Sequence, residues 1–293
     1  MTDNSDVTSP RELTALFREH NLSPNIRYGQ NFLIDANIVR KIADAVGVNP
    51  GDQVVEIGPG AGALTLALAH QGAKLVALEI DRGLARLLHK LTNSYEGVLI
   101  KHGDALKMDW QQLIEEHFDI NAPVKLVSNL PYNISGPFMF ELFKCGFPFE
   151  RAVLMFQKEV ARRLVARPGA PDYGSLSVIC AYYSTGKVLF DVSCNVFWPR
   201  PKIDSSVVLL KPDRRLLPVE MEPLFWELVK GVFRQRRKTI LKSLKSTFDF
   251  PREELALLLQ EAGVSPAARP EELAPSQFAK LAGIAYNVFS QSR

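Results

Sequence analysis

Four consecutive residues, Asn129, Leu130, Pro131 and Tyr132 in SNLPYNIS (128–135), set an amide, a rigid proline and an aromatic ring directly after the apolar run Val124–Val127. Such a set suits chemistry at an exocyclic amine. The lone pair of adenine N6 is delocalised into the ring, and the nitrogen becomes a better nucleophile when both of its hydrogens are drawn into hydrogen bonds. The Asn129 side-chain oxygen is one acceptor. Pro131 confines Leu130 to extended geometry, so the Leu130 carbonyl can serve as a second. The Tyr132 ring can stack on the base, worth about 1–3 kcal/mol, once the base is unstacked or flipped out to reach it. The plain alternative is a proline turn with an aromatic lid.

A second constellation lies upstream. EIGPGAGALT (56–65) places Gly58, Gly60 and Gly62 between a strand-like and a helix-like stretch, where glycines accept positive φ and let the backbone approach a ligand. Gly58-x-Gly60-x-x-Ala63 fits the dinucleotide fingerprint, and Glu79 stands 21 residues after Gly58, where a carboxylate holds ribose hydroxyls. The loop alone suits a nicotinamide dinucleotide and S-adenosylmethionine equally, with a mere tight turn as a third reading. Asp104, closing GVLIKHGD, can accept from an adenine amino group or simply cap a helix. No residue has the character of a hydride-transfer acid, and a nicotinamide enzyme would leave Asn129–Tyr132 without a use.

These residues need a scaffold, and the hydrophobic pattern supplies one. QVVEIG (53–58), KLVALEI (74–80), GVLIKHGD (97–104), VKLVSN (124–129) and RAVLMFQ (151–157) read as strands. Helical patterns ALTLALAHQG, RGLARLLHKL and MFELFKCG separate them. Alternation of this kind implies a parallel sheet covered on both faces, with ligands beyond the C-terminal strand ends. Gly58, Glu79, Asp104 and Asn129 all fall at such ends. Asp35 is expected to cap a helix reaching Val46, and KEVARRLVAR reads as another helix. SLSVICAYYSTGKVLFDV and SSVVLLKP read as closing strands. Beyond about residue 212 only helical patterns remain. The expected division is a tail with one short helix over 1–25, a catalytic domain over 26–211 and a small all-helical domain over 212–293.

Composition narrows the class. The chain has 293 residues, 46% apolar and 23% charged, and no run approaches the roughly 18 apolar residues of a membrane span. Its polar start carries no secretory signal, so a cytoplasmic enzyme that does not touch membranes is expected. Three cysteines without a CxxC and five histidines without HxxxH point to free thiols and no metal. From Lys211 to Arg293 there are 14 Lys or Arg against 10 Asp or Glu, whereas the first 210 residues carry 21 and 22. Residues 230–245 hold seven basic side chains and no acid. Read as one helix with the residues just before it, this segment anchors Trp226, Val229, Phe233, Ile240 and Leu244 on one face. It offers Arg234, Arg236, Arg237, Lys238 and Lys242 to phosphates on the other; a solvated charged face is the competing reading.

Taken together, YGQNFLID (28–35), VVEIGPGAGALT (54–65), ALEIDR (77–82), SNLPYNIS (128–135), MFQKEV (155–160), YGSLSV (173–178), VFWPRPKIDSSVV (196–208) and FRQRRKT (233–239) resemble the small-subunit ribosomal RNA adenine dimethyltransferase family over about residues 26–290. The N-terminal motifs also occur in the large-subunit erythromycin-resistance methylases and in mitochondrial transcription-factor relatives, while the last two motifs favour the small-subunit enzymes. The resemblance implies a class I S-adenosylmethionine-dependent methyltransferase domain, Rossmann-like α/β, with a helical RNA-binding domain. Asn31 and Leu33 would contact S-adenosylmethionine with Gln30 nearby, Gly58 and Gly60 would cradle it, Glu79 would bind its ribose and Asp104 its adenine. Asn129 would stand between cofactor and target base, and Phe197 would sandwich that base against Tyr132. Trp198 departs from the small residue or proline often found after that Phe, leaving open which aromatic stacks. The implied substrate is small-subunit rRNA in the immature subunit, dimethylated at two adjacent adenosines near its 3′ end. A non-catalytic assembly or transcription factor is the alternative from another class, and the intact motifs speak against it. A monomer is expected.

Overall fold

The computed structural model of the chain describes residues 7–213, 216–235 and 237–291. They fall into two compact units. The first runs to Ala161 and resumes over Lys187–Pro212; the second comprises Arg162–Gly186 and the chain from Asp213 onward.

The first unit is built on strands β1 (Phe32–Leu33), β2 (Gln53–Ile57), β3 (Lys74–Glu79), β4 (Val98–His102), β5 (Val124–Asn129), β6 (Phe149–Gln157), β7 (Ser184–Val192), β8 (Phe197–Trp198) and β9 (Ser205–Pro212). Seven of them form one sheet in the order β4-β3-β2-β5-β6-β9-β7. The pairs β4-β3, β3-β2, β2-β5 and β5-β6 are parallel, and β9 runs antiparallel to β6. Every residue of β2 is buried, Gln53 and Glu56 included, as in a strand covered on both faces. Its neighbours β3 and β5 lie on opposite sides, so the chain winds outward both ways. The crevice this leaves at the C-terminal ends of β2 and β5 is where such sheets bind ligands. A separate two-stranded ribbon pairs β1 with β8, Phe32 opposite Trp198 and Leu33 opposite Phe197.

Helices α2 (Ala36–Val46), α3 (Ala63–His70), α4 (Arg82–Thr92), α5 (Trp110–His117) and α6 (Ser135–Lys144) connect these strands. Asp35 caps α2 as expected, its carboxylate accepting the N–H groups of Asn37 and Ile38 at 2.8 and 3.1 Å, and Gly47 ends it in the left-handed region. The N-terminal segment is more than a tail. Helix α1 (Pro10–Glu19) starts at the Ser9 cap and buries Leu13, Leu16 and Phe17 against Phe32, Ala61, Leu84 and Leu87.

The second unit is helical. It contains α8 (Ser175–Tyr183), α9 (Glu222–Phe233), α10 (Ile240–Thr247), α11 (Arg252–Ala262) and α12 (Pro275–Gln291), while α7 (Lys158–Val165) leads into it from the first unit. Two expectations are corrected here. SLSVICAYY is a helix, not part of a closing strand; the strand begins only at Ser184. Gly174 donates its N–H to Ser177 Oγ at 3.0 Å, a local start signal, and α8 is buried on nearly all sides, which hides its periodicity. Arg162–Gly186 therefore sorts with the C-terminal helices, whereas the linear division places it in 26–211. The basic segment 230–245 is two helices rather than one. The chain turns after Phe233, where the Lys238 N–H donates to the Gln235 carbonyl at 2.8 Å, and the helix restarts at Ile240.

Candidate active site

Each strand end contributes one piece of a single cleft. After β2 the chain turns through Gly58, Gly60 and Gly62, all at positive φ. A β-carbon at Gly58 would meet Pro131 Cδ at 3.4 Å, and one at Gly60 would meet the Phe32 ring at 3.0 Å. The turn is stitched to β3: Gly58 N–H donates to the Leu78 carbonyl at 2.9 Å, and Gly60 N–H to Glu79 Oε2 at 3.0 Å. Glu79 Oε1 accepts the Asp81 N–H at 2.9 Å, and the Glu79 carbonyl accepts the Gly103 N–H at 2.9 Å. One buried residue thus organises three strand ends.

The cleft is lined by Gln30, Asn31, Leu33, Gly58, Gly60, Glu79, Asp104, Asn129, Leu130, Pro131 and Tyr132. These residues, expected to act together, come together. Asp104 Oδ1 accepts the Leu106 N–H at 3.0 Å as a local cap, and the residue still lines the cleft. Phe197 is not brought there. It is 2% exposed in the core beside Leu33 and Val207, because alternation along β8 turns Phe197 inward and Trp198 towards α1. Trp198 meets Phe17 edge-on at 5.6 Å and is also outside the cleft lining. Of the three aromatics considered for stacking, only Tyr132 lines the cleft.

The acceptor geometry is specific. Asn129 Nδ2 donates to the Asn31 carbonyl at 3.0 Å. A carbonyl can be met only by the amide nitrogen, so this hydrogen bond fixes which way the amide faces. Among the described residues no group donates to Asn129 Oδ1, and none donates to the Leu130 carbonyl. The Pro131 carbonyl, by contrast, is taken by the Ile134 N–H at 3.1 Å and the Ser135 hydroxyl at 3.2 Å. Asn133 Nδ2 adds a second clasp to the 27–31 segment through the Arg27 carbonyl at 3.1 Å. The Tyr132 hydroxyl and Ser205 Oγ share a hydrogen bond of 2.8 Å; burial raises the Tyr132 pKa, with the serine bond opposing.

The floor is rich in carboxyl groups. Burial pushes Glu79 up to about 7 against the pull of the Asp81 and Gly60 N–H groups. Glu56, absent from the sequence-based site, lines the same cleft and is pushed up to about 8 by burial, with the Thr65 hydroxyl opposing and Glu79 adding. A carboxylate inside the apolar run VVEIG was the available signal. Two features fit a nucleoside-bearing amino acid. The glycine turn leaves room only for backbone, and Gln30 Nε2 is a buried donor without a partner among the described residues, its Oε1 being held by the Asn25 N–H at 2.8 Å. Among the described residues no group of three His, Cys, Asp or Glu is placed to hold a metal ion, and no helix is long and apolar enough to cross a membrane.

Of the basic residues, Arg234, Arg237 and Lys238 lie in the connection between α9 and α10 and Lys242 on α10, all exposed. None of the four is in an ion pair among the described residues. Arg236 lies outside the described residues.

A family model described as "Ribosomal RNA adenine dimethylase" matches residues 21–286. A protein of Moorella thermoacetica named Ribosomal RNA small subunit methyltransferase A is 43% identical, over 94% of this chain and 97% of that one. A dimethyladenosine transferase of Plasmodium falciparum superposes with a TM-score of 0.71 at 27% identity, over 85% of this chain and 95% of that one. A 23S rRNA methyltransferase, ErmE, does so with a TM-score of 0.63 at 27% identity, over 87% and 99%.

Proposed function

Because the chain belongs to the ribosomal RNA adenine dimethylase family, we propose that it transfers methyl groups from S-adenosylmethionine to N6 of two adjacent adenosines near the 3′ end of small-subunit rRNA. The product is N6,N6-dimethyladenosine, formed while the subunit is still immature. The enzyme acts as a cytoplasmic monomer in this reading. When bound, S-adenosylmethionine supplies an electrophilic methyl group. Everything else is asked of the chain. The glycine turn and Gln30 would hold the amino-acid end, Glu79 the ribose hydroxyls and Asp104 the adenine. Tyr132 would receive the flipped target base on its face, and Asn129 Oδ1 and the Leu130 carbonyl would accept from its two N6 hydrogens.

One observation carries the reading: two acceptors of adjacent residues are unspent at the mouth of β5, and the Asn31 carbonyl holds the amide so that its oxygen is the free atom. Such preorganised partners are worth most where water is excluded. No strong base is required, since the methylated nitrogen releases its proton readily, and the cleft lining contains no His or Cys. The second transfer meets a base with one N–H, so one acceptor must give way to a methyl group.

Incubating the protein and methyl-labelled S-adenosylmethionine with immature small subunits, large-subunit RNA and DNA in parallel, followed by mass spectrometry of nucleosides, tests the proposal. Dimethyladenosine in the small-subunit sample alone is expected. Label confined to large-subunit RNA would favour the activity named for ErmE. In the same assay, at saturating cofactor, Asn129→Ala should lower single-turnover transfer about 10²–10³-fold, the loss typical of one preorganised partner.

A further inference from the structure

Tyr132 is the one aromatic of the expected pair that reaches the cleft, so what holds its ring decides how well a base is received. Its backbone is fixed on both flanks by the clasps of Asn129 and Asn133 to the 27–31 segment. Its far end is fixed by the 2.8 Å hydrogen bond to Ser205. Ser205 is fully buried and opens β9, paired with Gln157 of β6 in the antiparallel ladder. It therefore sits on a rigid strand rather than on a loop. Among the described residues the Ser205 hydroxyl has no side-chain partner other than Tyr132. A tyrosine swung out of place would strand that hydroxyl in a dry site, which is unfavourable. Each group keeps the other in position.

We propose that Ser205 is a positioning residue that tethers the Tyr132 hydroxyl and so holds the ring as a preformed platform for the target adenine. The phenol oxygen is then a mooring and takes no part in the chemistry; only the ring face meets the base. The inference rests on the stacking role proposed for Tyr132. Nothing in the sequence pattern marks Ser205 for this task, because its partner is 73 residues away.

The test is a double-mutant cycle with Ser205→Ala and Tyr132→Phe, read as KM for RNA, kcat and cofactor affinity. Each single change should raise KM for RNA roughly three- to tenfold, the range of one net hydrogen bond, with cofactor affinity unchanged. The double variant should be no worse than either single one, and Ser205→Thr should restore the wild-type constant. A 2-aminopurine at the target position should be less quenched in the singles, reporting a looser stack. Additive losses, or a Ser205→Ala protein with wild-type KM beside an impaired Tyr132→Phe, would overturn the tether. Should Ser205→Ala fail to fold, Ser205→Cys, whose thiol is only a weak hydrogen-bonding group, takes its place in the cycle. Failure of the tether leaves wild-type methylation intact, whereas failure of the proposed function abolishes the signal in every protein, wild type included.

Discussion

Single residues decide the chemistry, and the most informative are the buried carboxylates beneath the cleft. Folded Glu56 keeps its proton to about pH 8, while the unfolded carboxyl, with its ordinary value of 4.5, has long released it. Between those values each rise in pH favours the unfolded chain, so this group's stabilising share is complete below about pH 4.5 and lost towards pH 8. Glu56→Gln should melt close to wild type near pH 5 and above it near pH 8, as thermal melts across that range would reveal; Glu79, raised to about 7, retains its own part of the slope. At this scale most of the cleft lining was legible: side-chain chemistry and strand-end position mark Gly58, Glu79, Asp104 and Asn129, and the family resemblance adds Gln30, Asn31 and Leu33. Phe197 was not, since a motif cannot say which face of a two-residue strand turns inward. Glu56 and Ser205 were missed because their partners, Thr65 apart, lie across the sheet.

Elements decide whether those residues stay put. Phe17 of α1 meets Phe32 edge-on at 5.1 Å, and Phe32 in turn leans on Gly60 of the glycine turn. Phe17→Ala should destabilise the protein by about 3–5 kcal/mol as a buried aromatic truncation, measured by denaturant unfolding. It should also weaken cofactor binding, because Phe32 loses its backing. The parallel strands were readable from alternation and from glycine-marked ends. Helix α8 was not: SLSVICAYY has no polar face, and a short apolar run lacks the period that separates helix from strand. The basic stretch differs for another reason: its apolar spacing holds across a turn that the spacing cannot display.

In the proposed function the tasks divide between the two units of the molecule. The exposed cations between α9 and α10 belong to the helical unit, and in the proposed reaction they meet RNA phosphates. Neutralising Arg237 and Lys238 to Gln should reduce the slope of log affinity against log salt by about 0.7–0.9 for each phosphate no longer neutralised, with cofactor affinity unchanged; an unaltered slope would remove these residues from the interface. A chain cut after Pro212 should be poorly behaved. It keeps Tyr182, stacked on Phe225 at 4.2 Å, and Tyr173, whose hydroxyl donates to the Leu273 carbonyl at 2.8 Å, without either partner; dye binding to exposed apolar surface would report this. The excursion through Arg162–Gly186 is defined only by long-range packing, which a linear reading does not display. That excursion has a consequence for biosynthesis. During translation α8 leaves the exit tunnel well ahead of the helices that cover it, and β9 emerges between them, so neither unit can finish before the other has begun. Nascent chains of this protein must keep a greasy helix waiting, which makes the interval between residues 186 and 291 the natural point for chaperone capture.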